Sequence, residues 1–127
     1  MGRESEWSAG HDPPSHAARF GRFGERCAAD WYQRAGYRIL ARNWRCRQGE
    51  LDLVVSRGAV VAFVEVKARS STRFGSGAEA VDWRKQAKVR AVASQWLDVG
   101  ERYFDELRFD VVDVDRRGSV AVYEDCF

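Results

Sequence analysis

The sequence predicts an α/β fold, a mixed central sheet flanked by two helices in the order α-β-β-β-α-β-β. Three observations carry that expectation. Two stretches repeat their apolar residues at helical spacing, five others read as short strands, and Gly-bearing turns separate them. With 127 residues and 45% hydrophobic content, the chain suits one domain with a real core and is too short for two. A sheet covered by helices is the natural layered solution for that order of elements.

Residues 1–15 mix Gly, Ser, Pro and charges without periodicity and read as a flexible extension ahead of a single domain over residues 16–127. From about His16, the residues Phe20, Phe23, Cys27, Ala28, Trp31 and Ala35 recur at helical spacing, and Gly36 stops the run as a C-terminal glycine does. A short strand is expected around Tyr37 to Ala41. The Gln48-Gly49 turn leads into a strand over Glu50 to Val55, and Arg57-Gly58 turns the chain into another over Ala59 to Lys67. Arg69 to Gly77, rich in Ser and Gly, reads as a loop. A second helix is expected over Ala78 to Asp98, with Val81, Val89, Val92 and Trp96 on one face. Leu107 to Val114 and Ser119 to Tyr123 read as two final strands joined at Arg117-Gly118.

Nothing approaches the ~18 consecutive apolar residues of a membrane span, and no apolar signal-peptide core is visible, so a cytoplasmic protein without membrane contact is expected. The three cysteines, Cys27, Cys46 and Cys126, are odd in number and lack a C-x-x-C pair, which argues for reduced thiols rather than disulfides or a zinc knuckle. His11 and His16 have no ligand cluster at metal spacing. The net charge of +2 conceals an asymmetry: residues 98–127 hold nine acids and four arginines, leaving the rest of the chain strongly basic. Between Arg34 and Arg47 five arginines stand with no acid, interleaved with Tyr37 and Trp44; Arg84, Lys85, Lys88 and Arg90 are likewise unopposed. Such polarity suits a polyanionic partner, although 18 of the 21 basic residues are Arg, a bias that genome composition alone can produce.

The chemistry concentrates between Glu50 and Lys67. Asp52, Glu65 and Lys67 interrupt apolar strands where Val or Ile would serve packing better, and charges there are costly unless paired or bound to a metal. Glu65 and Lys67 share a strand face with Val61 and Phe63. Glu65-Val66-Lys67 is the only acid-x-Lys triplet in a chain with six Arg for every Lys. Two carboxylates and one ammonium suit phosphodiester hydrolysis with Mg²⁺ or Mn²⁺: Asp52 and Glu65 hold the ion, and Lys67, about 7 Å beyond Asp52's partner Glu65, orients water. Lys fits that role because its charge is compact, whereas Arg stays a wide, protonated fork. The alternative is a solvated edge-strand pair. Glu25, on the flank of the first helix, can overhang the same site, Glu50 is a reserve ligand, and Lys85 interrupts the apolar stripe of the second helix as a phosphate contact would.

These residues resemble the YraN family of small bacterial proteins, which have the restriction-endonuclease-like fold of PD-(D/E)xK nucleases. The likeness runs from about Gly24 to Val114. It rests on Gly24-Glu25 with Ala28, Gly36-Tyr37, Asn43, Gly49-Glu50-Leu51-Asp52, Phe63-Val64-Glu65-Val66-Lys67 with Arg69, Phe74-Gly75, Lys85, and Arg108-Phe109-Asp110-Val111-Val112. The resemblance implies that Asp52 and Glu65 are metal ligands, Lys67 the catalytic lysine and Glu25 a helix-borne acid. Leu51 stands where the wider superfamily has Pro. The family's core is similar to that of archaeal Holliday-junction resolvases.

The expected function is a Mg²⁺- or Mn²⁺-dependent endonuclease acting on DNA rather than RNA, selective for structure rather than sequence, in recombination or repair. Arg42, Arg45, Arg69, Arg73 and Lys85 are the expected nucleic-acid contacts, and a homodimer is left open. A different class, a non-catalytic nucleic-acid-binding or scaffold protein keeping this fold, is the alternative. A small-phosphoester hydrolase lacks support because no glycine-rich phosphate cradle is present.

Overall fold

A computed structural model describes residues 15–69 and 82–127. Its elements follow the expected order: α1 (His16–Arg34), β1 (Arg38–Cys46), β2 (Gly49–Arg57), β3 (Val60–Ala68), α2 (Trp83–Gly100), β4 (Glu106–Val114) and β5 (Val120–Tyr123). The extension over residues 1–14, the first residues expected for the second helix and most of the Ser/Gly loop, Arg73 included, lie outside the described residues.

The strands form one five-stranded sheet in the order β1-β2-β3-β4-β5. Successive neighbours are antiparallel except β3 and β4, which run parallel from Val60 opposite Glu106 to Ala68 opposite Val114. A parallel pair needs a crossover, and α2 lies within it.

Each helix covers one face. Ala28, Ala29 and Tyr32 of α1 pack with Leu53, Val55, Ala62, Val64, Val112 and Val114. Val89, Val92, Ala93 and Trp96 of α2 pack with Leu51, Val54, Val61 and Phe63 on the opposite face. Period-two alternation along β2 and β3 thus feeds two cores at once, which explains their nearly continuous apolar sequences. The Ser15 side chain caps α1 by accepting from the Ala18 amide at 3.0 Å, and Gly36 follows its end at φ +91°. Asp82 caps α2 ahead of Trp83 by accepting from the Lys85 amide at 3.0 Å.

Two differences from the sequence reading have physical causes. β1 runs to Cys46, well past the expected Ala41, because its second half keeps Trp44 and Cys46 against the α2-side core while Arg42 and Arg45 face solvent. Three of the nine acids at the end of the chain are also internal: Asp110, Asp113 and Asp115 are buried. Asp110 accepts from the Tyr32 hydroxyl at 2.7 Å, from both Arg108 Nε and Nη2 at 3.0 Å, and from the Asp125 amide at 2.9 Å. It thereby ties α1, β4 and the chain's end together, and burial beside it pushes the Tyr32 hydroxyl pKa far up. Asp115 accepts from the Arg117 and Ser119 amides and shapes the β4–β5 turn. Cys27, Cys46 and Cys126 are free thiols.

Candidate active site

β2 and β3 stay paired up to Leu53 opposite Val64, and the same register sets Asp52 opposite Glu65 one step further on. There the backbone ladder gives way to a side chain: Asp52 Oδ2 accepts from the Val66 amide at 2.9 Å. The strands therefore open at this end of the sheet, with a carboxylate on each. Glu65 Oε2 lies 3.5 Å from Lys67 Nζ and 3.4 Å from Lys85 Nζ, so ammonium groups from β3 and α2 converge on one oxygen.

Burial raises the Asp52 carboxyl to about 7 from 3.8, and the charges of Glu65, Glu25 and Glu50 push the same way against the stabilising Val66 amide. Four carboxylates from α1, β2 and β3 therefore share one electrostatic neighbourhood. Glu50 is held by Arg45, its register partner on β1, at 3.0 Å. Glu25 reaches the site because Gly24 brings α1 close to the sheet: a Cβ at Gly24 would lie 3.3 Å from Ala68 Cβ and 3.7 Å from Val114 Cβ.

Asp52 is the wall between two clefts. One, of about 200 Å³, is lined by Glu50, Glu65, Lys85 and Lys88 with Val89 and Val92 behind them. The other, of about 120 Å³, is lined by Glu25, Arg22, Arg26, Arg42 and Asn43. The expected set Glu25, Asp52, Glu65 and Lys67 is thus gathered at one end of the sheet, with Lys85 and Arg42 beside it. Arg45 and Arg69 are engaged elsewhere, Arg45 with Glu50 and Arg69 with the buried Asp113 at 3.1 Å.

Among the described residues, no three His, Cys, Asp or Glu side chains are poised together to hold a metal ion. The donors nonetheless fit Mg²⁺ or Mn²⁺. Asp52 Oδ1 and Glu65 Oε1 have no hydrogen-bond partner among the described residues. Hard cations of this size take one or two carboxylate oxygens and complete their shell with water and substrate phosphate.

Several residues of the site escape a reading of the sequence. Arg22 and Arg26 look like any exposed helix arginine in an arginine-rich chain. Asn43 lies inside β1 at φ +49°, a left-handed conformation, and falls opposite Asp52 in the β1–β2 register. Asp113 stands beside Lys67 in the β3–β4 register, fully buried, with Oδ2 unpartnered. An acid between apolar strand residues was a readable signal for Asp113, as it was for Asp52; Asn43 was legible only as part of the family resemblance, and its backbone conformation not at all.

No helix among the described residues is long and apolar enough to cross a membrane. Residues 24–114 match the uncharacterised protein family UPF0102. A UPF0102 protein of Frankia alni is 54% identical over 96 residues, 76% of this chain and 80% of the relative. One of Frankia casuarinae is 53% identical over 102 residues, 80% and 86% of the two chains. A more distant one, of Mycolicibacterium vanbaalenii, is 45% identical over 97 residues, 76% and 80% of the two chains. With the matched span holding Glu25, Glu50, Asp52, Glu65, Lys67 and Lys85, the chain belongs to UPF0102, the YraN family.

Proposed function

We propose that the protein is a metal-dependent nuclease that hydrolyses phosphodiester bonds in DNA, selecting structure rather than sequence. One observation carries this reading: Asp52 and Glu65 line one cleft where the β2–β3 ladder ends, each with an oxygen that has no partner among the described residues, and two lysines meet at Glu65. A structural ion pair needs one acid and one base. Asp52 has no basic partner among the described residues and is raised to about 7 by burial and by the charges of Glu65, Glu25 and Glu50, a disfavoured arrangement that a divalent cation would relieve.

When bound, Mg²⁺ or Mn²⁺ supplies charge neutralisation at the phosphate and acidifies water beside it. The chain's own residues do the rest. Asp52 and Glu65 would hold the ion. The Val66 amide fixes Asp52, and the Lys67 ammonium, held at the site by Glu65, orients water at the scissile phosphate. Lys85 and Lys88 line the cleft at the α2 side and offset phosphate charge there. The groups at hand recognise backbone rather than base edges, which suits selection by shape.

A second reading, a non-catalytic binding or scaffold protein, draws on the two lysines already neutralising Glu65. Incubation with single-stranded, duplex, flap and four-way-junction DNA, and the RNA equivalents, in Mg²⁺, Mn²⁺ or EDTA separates the two. The nuclease cuts at least one DNA with metal and none in EDTA; binding without cleavage under every condition supports the scaffold. In parallel, Mn²⁺ titration by calorimetry should show a saturable site that Asp52→Asn abolishes while the variant stays folded. Equal Mn²⁺ affinity in both proteins would remove Asp52 as a ligand.

A further inference from the structure

The cleft on the α1 side of Asp52 has a composition that the metal chemistry does not require. Three guanidinium groups converge on it, Arg22 and Arg26 from α1 and Arg42 from β1, and none has an ion-pair partner among the described residues. That is unusual given the company: Glu25 and Asp52 line the same cleft, yet no arginine pairs with either. Arg45, three positions along β1 from Arg42, does pair with its facing acid Glu50 at 3.0 Å. The three exposed guanidinium groups are thus left available at the cleft, with α1 on one side and the sheet on the other.

Arg22 and Arg26 are four residues apart, so they stack on one face of α1 with an offset of about 6 Å along the axis. Arg42 faces them from β1. Its neighbour Asn43 adopts φ +49° within the strand, which Asn tolerates better than most residues and which a regular strand does not need. The backbone there is bent away from the pairing it would have with Asp52, and the amide side chain joins the cleft instead. Strain of this kind concentrates at binding sites.

From this geometry we infer that Arg22, Arg26, Arg42 and Asn43 form a phosphodiester-binding subsite for the nucleic-acid strand next to the carboxylates. The inference rests on the nuclease reading for the identity of the anion. Guanidinium forks match the oxygens of a phosphate, and several unpaired forks around one small cleft select a tetrahedral oxyanion over a single carboxylate. The cleft holds about 120 Å³, room for a backbone phosphate group but not for a base stacked inside it. Asp52 is shared with the lysine-lined cleft, so the strand passes over it from the arginine side to the Lys85–Lys88 side. Phosphates then lie on both flanks of the one that faces Asp52 and Glu65. Substrates are thus polynucleotide strands rather than mononucleotides or small phosphoesters.

Binding measured by fluorescence anisotropy in EDTA, where cleavage cannot deplete the substrate, tests this with a fluorescent DNA from the cleavage panel across a range of NaCl. Each arginine that neutralises a phosphate contributes about 0.9 to the slope of log affinity against log salt on duplex, or about 0.7 on a single strand. The double variant Arg22→Ala/Arg26→Ala should therefore flatten the slope by about 1.4–1.8 units. Arg102→Ala, at the far end of the sheet over the Trp96 ring, should leave it unchanged. Asn43→Gly keeps the backbone conformation and removes only a neutral amide, so affinity should fall several-fold at an unchanged slope. Circular dichroism of each variant checks the fold. A slope in the double variant equal to that of wild type overturns the subsite while leaving the nuclease reading standing. A flattened slope in a protein that cuts nothing supports the subsite and removes the nuclease. Wild-type protein that binds no nucleic acid even at low salt overturns both.

Discussion

Lys67 and Asp52 both lie at the Glu65 end of the sheet but are held there for different reasons, and their variants separate those reasons. Lys67 is bound to Glu65 by a 3.5 Å ion pair, which is worth little in stability at a partly exposed site. Its replacement should barely affect folding. If it positions the attacking water, Lys67→Ala cuts single-turnover cleavage by roughly 10²–10⁴-fold with little change in binding, and Lys67→Arg rescues little. Unchanged rates in both variants would leave the chemistry to the carboxylates. Asp52 carries an electrostatic load instead. Its carboxyl sits at about 7 in the fold against 3.8 unfolded, so between those values the native state holds a proton that the unfolded chain has released. Its contribution to stability consequently falls as pH rises from about 4 to about 7 and then levels off. In EDTA, Asp52→Asn keeps an acceptor for the Val66 amide and removes that slope. Urea denaturation should find the variant equal to wild type near pH 4 and more stable by about 1–3 kcal/mol at pH 8. Parallel profiles at the two pH values would show that the Asp52 charge is not strained. Both residues were legible in the sequence because a charge between apolar strand residues has no packing rationale. The arginines beside them were not, because an exposed guanidinium looks the same whether it faces solvent or a ligand.

At the level of elements, the position of Glu25 depends on how closely α1 approaches β3 and β4. Gly24 sets that distance, since a side chain there meets Cβ atoms of Ala68 and Val114, which cannot rotate away. Gly24→Leu should cost about 1–3 kcal/mol by overpacking and lift Glu25 from Asp52; thermal unfolding and cleavage of the same sample would read both. A stability equal to wild type would mean that α1 has slack against the sheet. Further along the same helix, Tyr32 donates at 2.7 Å to the buried Asp110 carboxylate. Tyr32→Phe keeps the ring and removes one hydrogen bond to a charge, for an expected loss of about 1.5–3 kcal/mol in urea denaturation. A change within error would mean that Arg108 and the Asp125 amide already satisfy Asp110. The end of α1 was readable from Gly36, because a C-terminal glycine is local chemistry, whereas the sequence reading set Ser15 in the extension and Asp82 inside the second helix although both are caps. The length of β1 was not, since alternating arginines on a half-buried strand resemble a basic loop. Nor was the internal fate of Asp110 and Asp113, which depends on partners far away in sequence.

At the scale of the molecule, both cores are anchored on β2 and β3, so neither helix has a separate sheet to pack on. The described domain should therefore unfold in one transition, with near- and far-ultraviolet circular dichroism changing together; two resolved midpoints would show that the α1 and α2 layers separate. The parallel pairing of β3 and β4 has another consequence, which arises during synthesis. β1, β2 and β3 form an antiparallel meander that can assemble as it emerges, but β4 comes roughly forty residues later, a delay of seconds at ~5–20 residues per second. During that delay β3 is an open edge bearing Val60-Val61-Ala62-Phe63-Val64, an apolar run of the sort that recruits other chains. Glu65 and Lys67 are the charges that interrupt it. On the nascent chain, before any site exists, the same two residues act as gatekeepers against aggregation. Replacing both with valine would cost soluble yield as well as activity.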